Sequence, residues 1–145
     1  MSTQFGDLKK WNLIASGVHF AAFIFAATYL KSEDSKAITY RNAFDDTVNN
    51  ISKVDVPIKL EQSGTANLKY LIVAFFAITS LSHLAYATDF GGRGYYSKAI
   101  LGRGWNPYRW FEYSISASIM IYIISRVSGT KEQVTAVGTA LITPS

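Results

Sequence analysis

Apolar residues fall in blocks along this chain, separated by polar stretches. From Trp11 to Leu30 the run WNLIASGVHFAAFIFAATYL carries no formal charge. At about 1.5 Å rise per residue, roughly 20 helical residues reach about 30 Å, the thickness of a bilayer's hydrocarbon core. A second block, Tyr70 to Thr88, has a similar length and is uncharged apart from His83. A third, Pro107 to Ser125, is apolar enough to span but holds Arg109 and Glu112. A fourth, Val134 to Ile142, is too short to cross and runs into Pro144. The pattern predicts an all-α transmembrane helical bundle, one membrane domain over residues 1–145. Its complete spans lie at about 11–30, 70–88 and 107–125, with part of a fourth at 134–145.

The connections differ in character. In the outer loop, 31–69, Val54, Val56, Ile58 and Leu60 alternate with Asp55, Pro57, Lys59 and Glu61, the period of a half-buried strand. Ala37 to Tyr40 can pair with it as a small β-hairpin in the first extracellular loop. Pro57 lacks an amide donor and limits that strand to an edge or a break. Asn50-Ile51-Ser52 is a glycosylation sequon, a candidate modification at Asn50. The inner loop, 89–106, is rich in Gly but lacks the strand-Gly-helix context of a phosphate loop, so it reads as a flexible turn with interfacial aromatics.

Charge sets an orientation. Lys31 to Lys69 holds six Lys/Arg and six Asp/Glu, whereas Asp89 to Pro107 sets Arg93, Lys98 and Arg103 against Asp89 alone. With Lys9 and Lys10 near the start, the positive-inside rule places the N-terminus and second loop in the cytoplasm and the first loop outside. The first block is longer than a signal-peptide core, and ATYLKSEDSK lacks a small-x-small cleavage site, so it reads as a retained span. The chain has 145 residues, a length for one folding unit, with 14 Lys+Arg against 10 Asp+Glu and no cysteine. Lack of Cys removes disulfides and thiolate chemistry. The basic residues form no stripe, so nucleic acid is not an expected partner; the lipid bilayer is. There is no nucleophile-base pair, metal cluster or phosphate loop, and no enzyme activity is expected.

The candidate chemistry lies in the spans. His19, His83, Arg109 and Glu112 are ionisable, and a charge at the bilayer centre costs at least about 2.5–3.5 kcal/mol, so these residues should face protein or a wet cavity. On an up-down-up path His19 lies about 12 Å from the inner end of its helix, and His83 and Glu112 about 7.5 Å from theirs. All three fall in the same half of the membrane, as a shared polar cavity requires. Arg109 and Glu112, three apart, can share a helix face and partly neutralise each other. The row Glu112, Ser116, Met120 runs from charged through polar to soft and apolar. It can hold a ligand with a cationic end at Glu112 and a greasy body beyond. Each histidine alone also fits a neutral imidazole bonded to backbone; beside Glu112 they become proton acceptors. Tyr113 fits a pocket wall or an interfacial aromatic.

The run from Arg109 to Met120, RWFEYSISASIM, resembles the third-helix signature of the heliorhodopsins, retinal-binding relatives of microbial rhodopsins, with its pattern R-W-x-E-Y-S-x-S. Gly17-Val18-His19 and Ser82-His83 resemble that family's first- and second-helix histidines. The resemblance covers the chain from Trp11 into the fourth helix. It implies seven helices, an inverted topology and all-trans retinal bound as a protonated Schiff base to a lysine of the last helix. It makes Glu112 the Schiff-base counterion, with Arg109 below it. His19 and His83 would line a cytoplasmic-side cavity that accepts the proton, and Tyr113, Ser116, Ala117 and Met120 would be pocket-wall positions. It further implies light sensing or signalling, with proton movement in some members, and a homodimer joined in part through the outer strands. No lysine of this sequence lies inside a span, so the sequence is expected to be the N-terminal part of a longer photoreceptor. Two alternatives stand beside it: a haem held between His19 and His83, and a membrane scaffold whose small residues pack against a partner.

Overall fold

The computed structural model describes residues 2–44 and 58–142. Eight elements follow one another: α1 (Ser2–Tyr29), β1 (Lys36–Phe44), β2 (Ile58–Asn67), α2 (Leu68–Ala87), α3 (Asp89–Gly92), α4 (Tyr95–Arg103), α5 (Pro107–Val127) and α6 (Gln133–Ile142). The apolar blocks therefore fold as helices where the hydropathy places them. Among the described residues, α1 and α2 are the helices both long and apolar enough to count as membrane-crossing by composition. With 21 residues, α5 has the length, but Arg109, Glu112 and Arg126 dilute its apolar character.

Helix starts follow local chemistry. The Asn67 side chain accepts from the Lys69 amide at 3.1 Å to begin α2. At α5 the Asn106 side chain accepts from the Arg109 amide at 3.2 Å, with Pro107 in the first turn, where its missing amide costs nothing. Glu132 bonds the amides of Val134 and Thr135 at the start of α6; the Thr135 bonds hold its carboxyl below the ordinary range.

Helices α1 and α2 lie antiparallel. Asn12 meets His83, Ser16 meets Ser80, and His19 meets Phe76, so one number falls as the other rises. At the middle of this contact Ser16 Oγ donates to the Ser80 carbonyl and Ser80 Oγ to the Ser16 carbonyl, both at 3.0 Å. Two small side chains let the backbones approach and fasten them reciprocally.

The buried and exposed classes are inverted relative to a soluble protein. Asn12, Ser16, Thr79, Ser80, Glu112, Ser116 and Arg126 are buried, with Ala26, Ala136 and Ala140 among them. Trp11, Val18, Phe20, Phe25, Leu81, Trp110 and Phe111 are exposed, Trp11 by 66%. In water such an arrangement would leave the hydrophobic term unused. In hydrocarbon it is the expected solution, since polar groups must find partners inside and apolar ones lose nothing outside. The molecule is a membrane protein.

The two strands pair antiparallel from Lys36↔Asn67 to Phe44↔Ile58. The hairpin is present, and its second strand takes in Ile58–Glu61, the described part of the expected segment. From there β2 runs on through Gln62–Asn67, a polar stretch with no alternation to announce it. A register shift between Thr39 and Tyr40 leaves Ser63 as the extra residue of a bulge. Gly64 beside it has φ +154°, a value other residues rarely adopt. Val54, Val56, Pro57 and the Asn50 sequon lie outside the described residues. The hairpin is tied to the far end of α5: the Tyr40 amide donates to the Lys131 carbonyl at 3.0 Å. Buried Arg126 gathers that turn, donating to the carbonyls of Thr130 and Lys131 at 2.9 and 2.8 Å and to Gln133, over the ring of Tyr122.

The 89–106 connection is not a flexible turn. One turn, α3, contains Asp89 and Phe90 at φ +51° and +54°, and helix α4 follows. The cause is Asp89, whose Oδ1 accepts from the amides of Tyr96 and Ser97 at 2.8 and 2.9 Å while Oδ2 takes the Ser97 hydroxyl. One carboxylate thus satisfies two of the orphan donors of α4 and offsets the strained backbone. Burial raises its affinity for a proton, but the bonds from Ser97 and Tyr96 and the nearby Lys98 outweigh that and hold its carboxyl below the usual range.

Candidate functional site

At the end of the bundle that carries 89–106, the three long helices turn polar side chains toward one another. On α1 the spacing Asn12, Ser16, His19 repeats every turn; on α2 Thr79 and His83 are one turn apart; on α5 Glu112 and Ser116 are one turn apart. A cavity of about 270 Å³ lies between them, lined by His19, Phe75, Thr79, His83, Arg109, Glu112, Tyr113, Ser116, Ala117 and Met120. Every one of the eight site residues expected from the sequence borders it; Phe75 and Thr79 were not anticipated.

Glu112 is the anionic centre, 5% exposed. Among the described residues no side chain donates a hydrogen bond to its carboxylate, and no Lys or Arg stands within salt-bridge distance. The expected pairing with Arg109 does not form. The Arg109 guanidinium reaches one turn up its own helix and donates to the Tyr113 hydroxyl from Nε at 2.9 Å and from Nη2 at 2.6 Å, lying over that ring. Spacing of four favours this contact as well as spacing of three favours the other, and the phenol accepts two donors at once. The carboxylate thus remains open toward the cavity. It also borders a second, more apolar cavity of about 320 Å³ with Ile78, Leu81, Tyr86, Phe90 and Phe111.

The two imidazoles meet: their ring centroids are 5.7 Å apart and their planes within 5° of parallel. His83 Nδ1 bonds Asn12 Oδ1 at 2.8 Å. The Asn12 amide nitrogen donates to the Leu8 carbonyl at 2.9 Å and to the Tyr96 hydroxyl at 3.4 Å, which links the cavity to α4. Tyr96 stacks on Tyr86 with centroids 4.9 Å apart, and Tyr86 meets the His83 ring edge-on at 6.2 Å. On the other side, His19 Nδ1 and Thr79 Oγ1 are buried with no hydrogen-bond partner among the described residues. Buried polar atoms without partners are costly, and both belong to residues that line the cavity.

Asn12, Thr79 and Tyr96 escaped the reading of the sequence because each looks ordinary alone. The signal was the helical repeat: Asn12 lies two turns before His19, and Thr79 one turn before His83, on the same faces.

A carboxylate, two imidazoles and an aromatic wall inside an apolar helical bundle define a membrane protein with a polar intramembrane pocket. The heliorhodopsin family model matches residues 8–143, and the chain belongs to the heliorhodopsin family. It is therefore of rhodopsin type, in a family whose members bind retinal. No curated protein matches the chain.

Proposed function

We propose that this chain forms the counterion side of a retinal photoreceptor, with Glu112 as the group that balances the chromophore's positive charge. The observation that carries this reading is the buried Glu112 carboxylate, free of hydrogen bonds and salt bridges among the described residues, facing a cavity it shares with both histidines. A buried carboxylate with no partner of its own is a fitting place for a cation brought by a ligand.

The residues fit the group. Phe75, Tyr113, Ala117 and Met120 supply an apolar wall for a polyene, and Glu112, His19, His83 and Thr79 supply the polar side chains of the lining. Retinal, when bound, supplies light absorption and a cationic nitrogen whose proton becomes mobile. Glu112 holds that charge by proximity. Arg109, engaged by the Tyr113 hydroxyl, keeps its own charge from neutralising Glu112 directly. Ser116, buried one turn beyond Glu112, offers a hydroxyl at the pocket's middle. His19 and His83 receive a proton at the cavity's inner end, since each imidazole offers a ring nitrogen that can take or relay one. None of the ten lining residues is a lysine, so the covalent attachment comes from outside this set.

In this proposal α5 crosses the bilayer as a third span, its charges turned to protein. The N-terminus and 89–106 face the cytoplasm, in line with Lys9, Lys10, Arg93, Lys98 and Arg103 at that end, and the hairpin faces outside. The haem alternative gains nothing from the geometry, in which the two imidazole rings stack on each other instead of standing apart on either side of a macrocycle.

The test is to purify the gene product in lipid nanodiscs and add all-trans retinal. A visible band that grows with retinal is expected. A Soret band present without retinal and lost in His83→Ala would contradict the proposal.

A further inference from the structure

We infer that Asn12 is a positioning residue that locks His83 in one tautomer, proton on Nδ1, and thereby makes Nε2 the atom that accepts a proton from the cavity. The deduction starts from an acceptor that cannot be anything else. The Leu8 carbonyl lies 2.9 Å from one end of the Asn12 amide, so that end is the NH₂ group. The other end is then the carbonyl oxygen, 2.8 Å from His83 Nδ1. An oxygen there requires Nδ1 to donate. Turning the imidazole over would put a carbon at that distance from the oxygen, which is too close for a carbon–oxygen contact. In a neutral imidazole with Nδ1 protonated, Nε2 carries the lone pair.

The arrangement suits a group that must gain and lose a proton repeatedly. Protonation at Nε2 leaves the Nδ1–Asn12 bond in place and turns it into a charge-assisted one. Nothing has to rotate, and Asn12 itself is held by Leu8 on its own helix and by the Tyr96 hydroxyl on α4. His19 has no such partner: its Nδ1 is buried and unbonded among the described residues, so its tautomer is not fixed in this way. The two histidines, equivalent in the sequence, are therefore not equivalent in the structure. His83 has a defined accepting atom.

The groups that bear on this titration come from each packed element. They are His19 from α1, Tyr86 from α2 itself, Tyr96 from α4 through Asn12, and Arg109, Glu112 and Tyr113 from α5. Among these, the Asn12 oxygen is the acceptor bonded to His83 Nδ1, while Nε2 has no partner among the described residues. The role of Nε2 as proton acceptor rests on the photoreceptor reading; the tautomer does not.

The experiment is nitrogen-15 NMR of histidine-labelled full-length protein in lipid, in the dark and without retinal, with the His83 signals assigned by their loss in His83→Gln. The expected wild-type result is one tautomer, with Nδ1 protonated and Nε2 not. Lowering the pH should move Nε2 into the protonated range while Nδ1 moves little. Asn12→Leu, which removes the acceptor at similar volume, should give loss of the single-tautomer pattern, and Asn12→Asp, which keeps an oxygen there, should retain it. A wild-type His83 protonated on Nε2, or an Asn12→Leu spectrum unchanged from wild type, would overturn the inference even if retinal binds. Because the wild-type spectrum decides alone, poor folding of a variant does not leave the question open.

Discussion

In the retinal-loaded protein, Glu112→Gln lowers the pH at which the chromophore's cation loses its proton by about 1–3 units, the usual effect of removing an opposite charge at close range. The size follows from two numbers. A pair of unit charges 4 Å apart at an effective dielectric near 20 interacts by about 4 kcal/mol. One pKa unit corresponds to about 1.36 kcal/mol, so the largest shift is about three units. The carboxylate's fixed setting makes a large value the expected one: Glu112 is 5% exposed, and Arg109 is turned to Tyr113 instead of screening it. Glutamine keeps the shape and removes only the charge, so the protein should fold as before. A spectrophotometric pH titration of both proteins reads the difference. An unchanged titration would mean that another carboxylate balances the chromophore.

The second large effect is on stability. Tyr86→Ala is expected to cost about 3–5 kcal/mol, the range for deleting a buried aromatic side chain. Tyr86 is 2% exposed, the largest side chain so fully enclosed among the described residues. It stacks on Tyr96 and meets His83 and Phe90 edge-on, with centroids 6.2 and 5.9 Å away. One ring thus joins α2 to the strained turn at Asp89, to α4 and to His83. Truncation leaves a void that Ala cannot fill, and the turn loses the contact that covers it. Tyr29→Ala, at a 73% exposed position, should change stability by no more than about 0.5 kcal/mol. Reversible unfolding in mixed micelles measures both. Equal effects at the two sites would contradict the packing described here.

The parts legible in the sequence were those written in long-range composition. Charge-free runs gave α1 and α2, because crossing hydrocarbon leaves few residue choices. The depths of His19, His83 and Glu112 gave one shared cavity, because rise per residue is fixed once a helix is granted. Pairing within the cavity was not legible. Arg109 had two partners at helical spacing, Glu112 and Tyr113, and only packing decides between them. The second strand was legible only in part: Ile58–Glu61 lie in it, but it continues through Gln62–Asn67, where the ladder is made by backbone groups and the side chains carry no alternation. Helix α4 was hidden among glycines because its start is supplied by Asp89, six residues earlier than Tyr95. Asn12 was hidden because a lone amide in an apolar run has no meaning until its neighbour across the interface is known.

The most direct measurement is a solid-state NMR distance between the Glu112 carboxyl carbon and the nitrogen that joins retinal to the protein, in lipid and in the dark. A carboxylate that faces the cavity and balances the cation should lie within a hydrogen bond or one bridging water of that nitrogen, and it should be ionised. A Glu112 carboxyl that is neutral, or that shows contact with lipid acyl chains and none with the nitrogen, would contradict its place as the counterion.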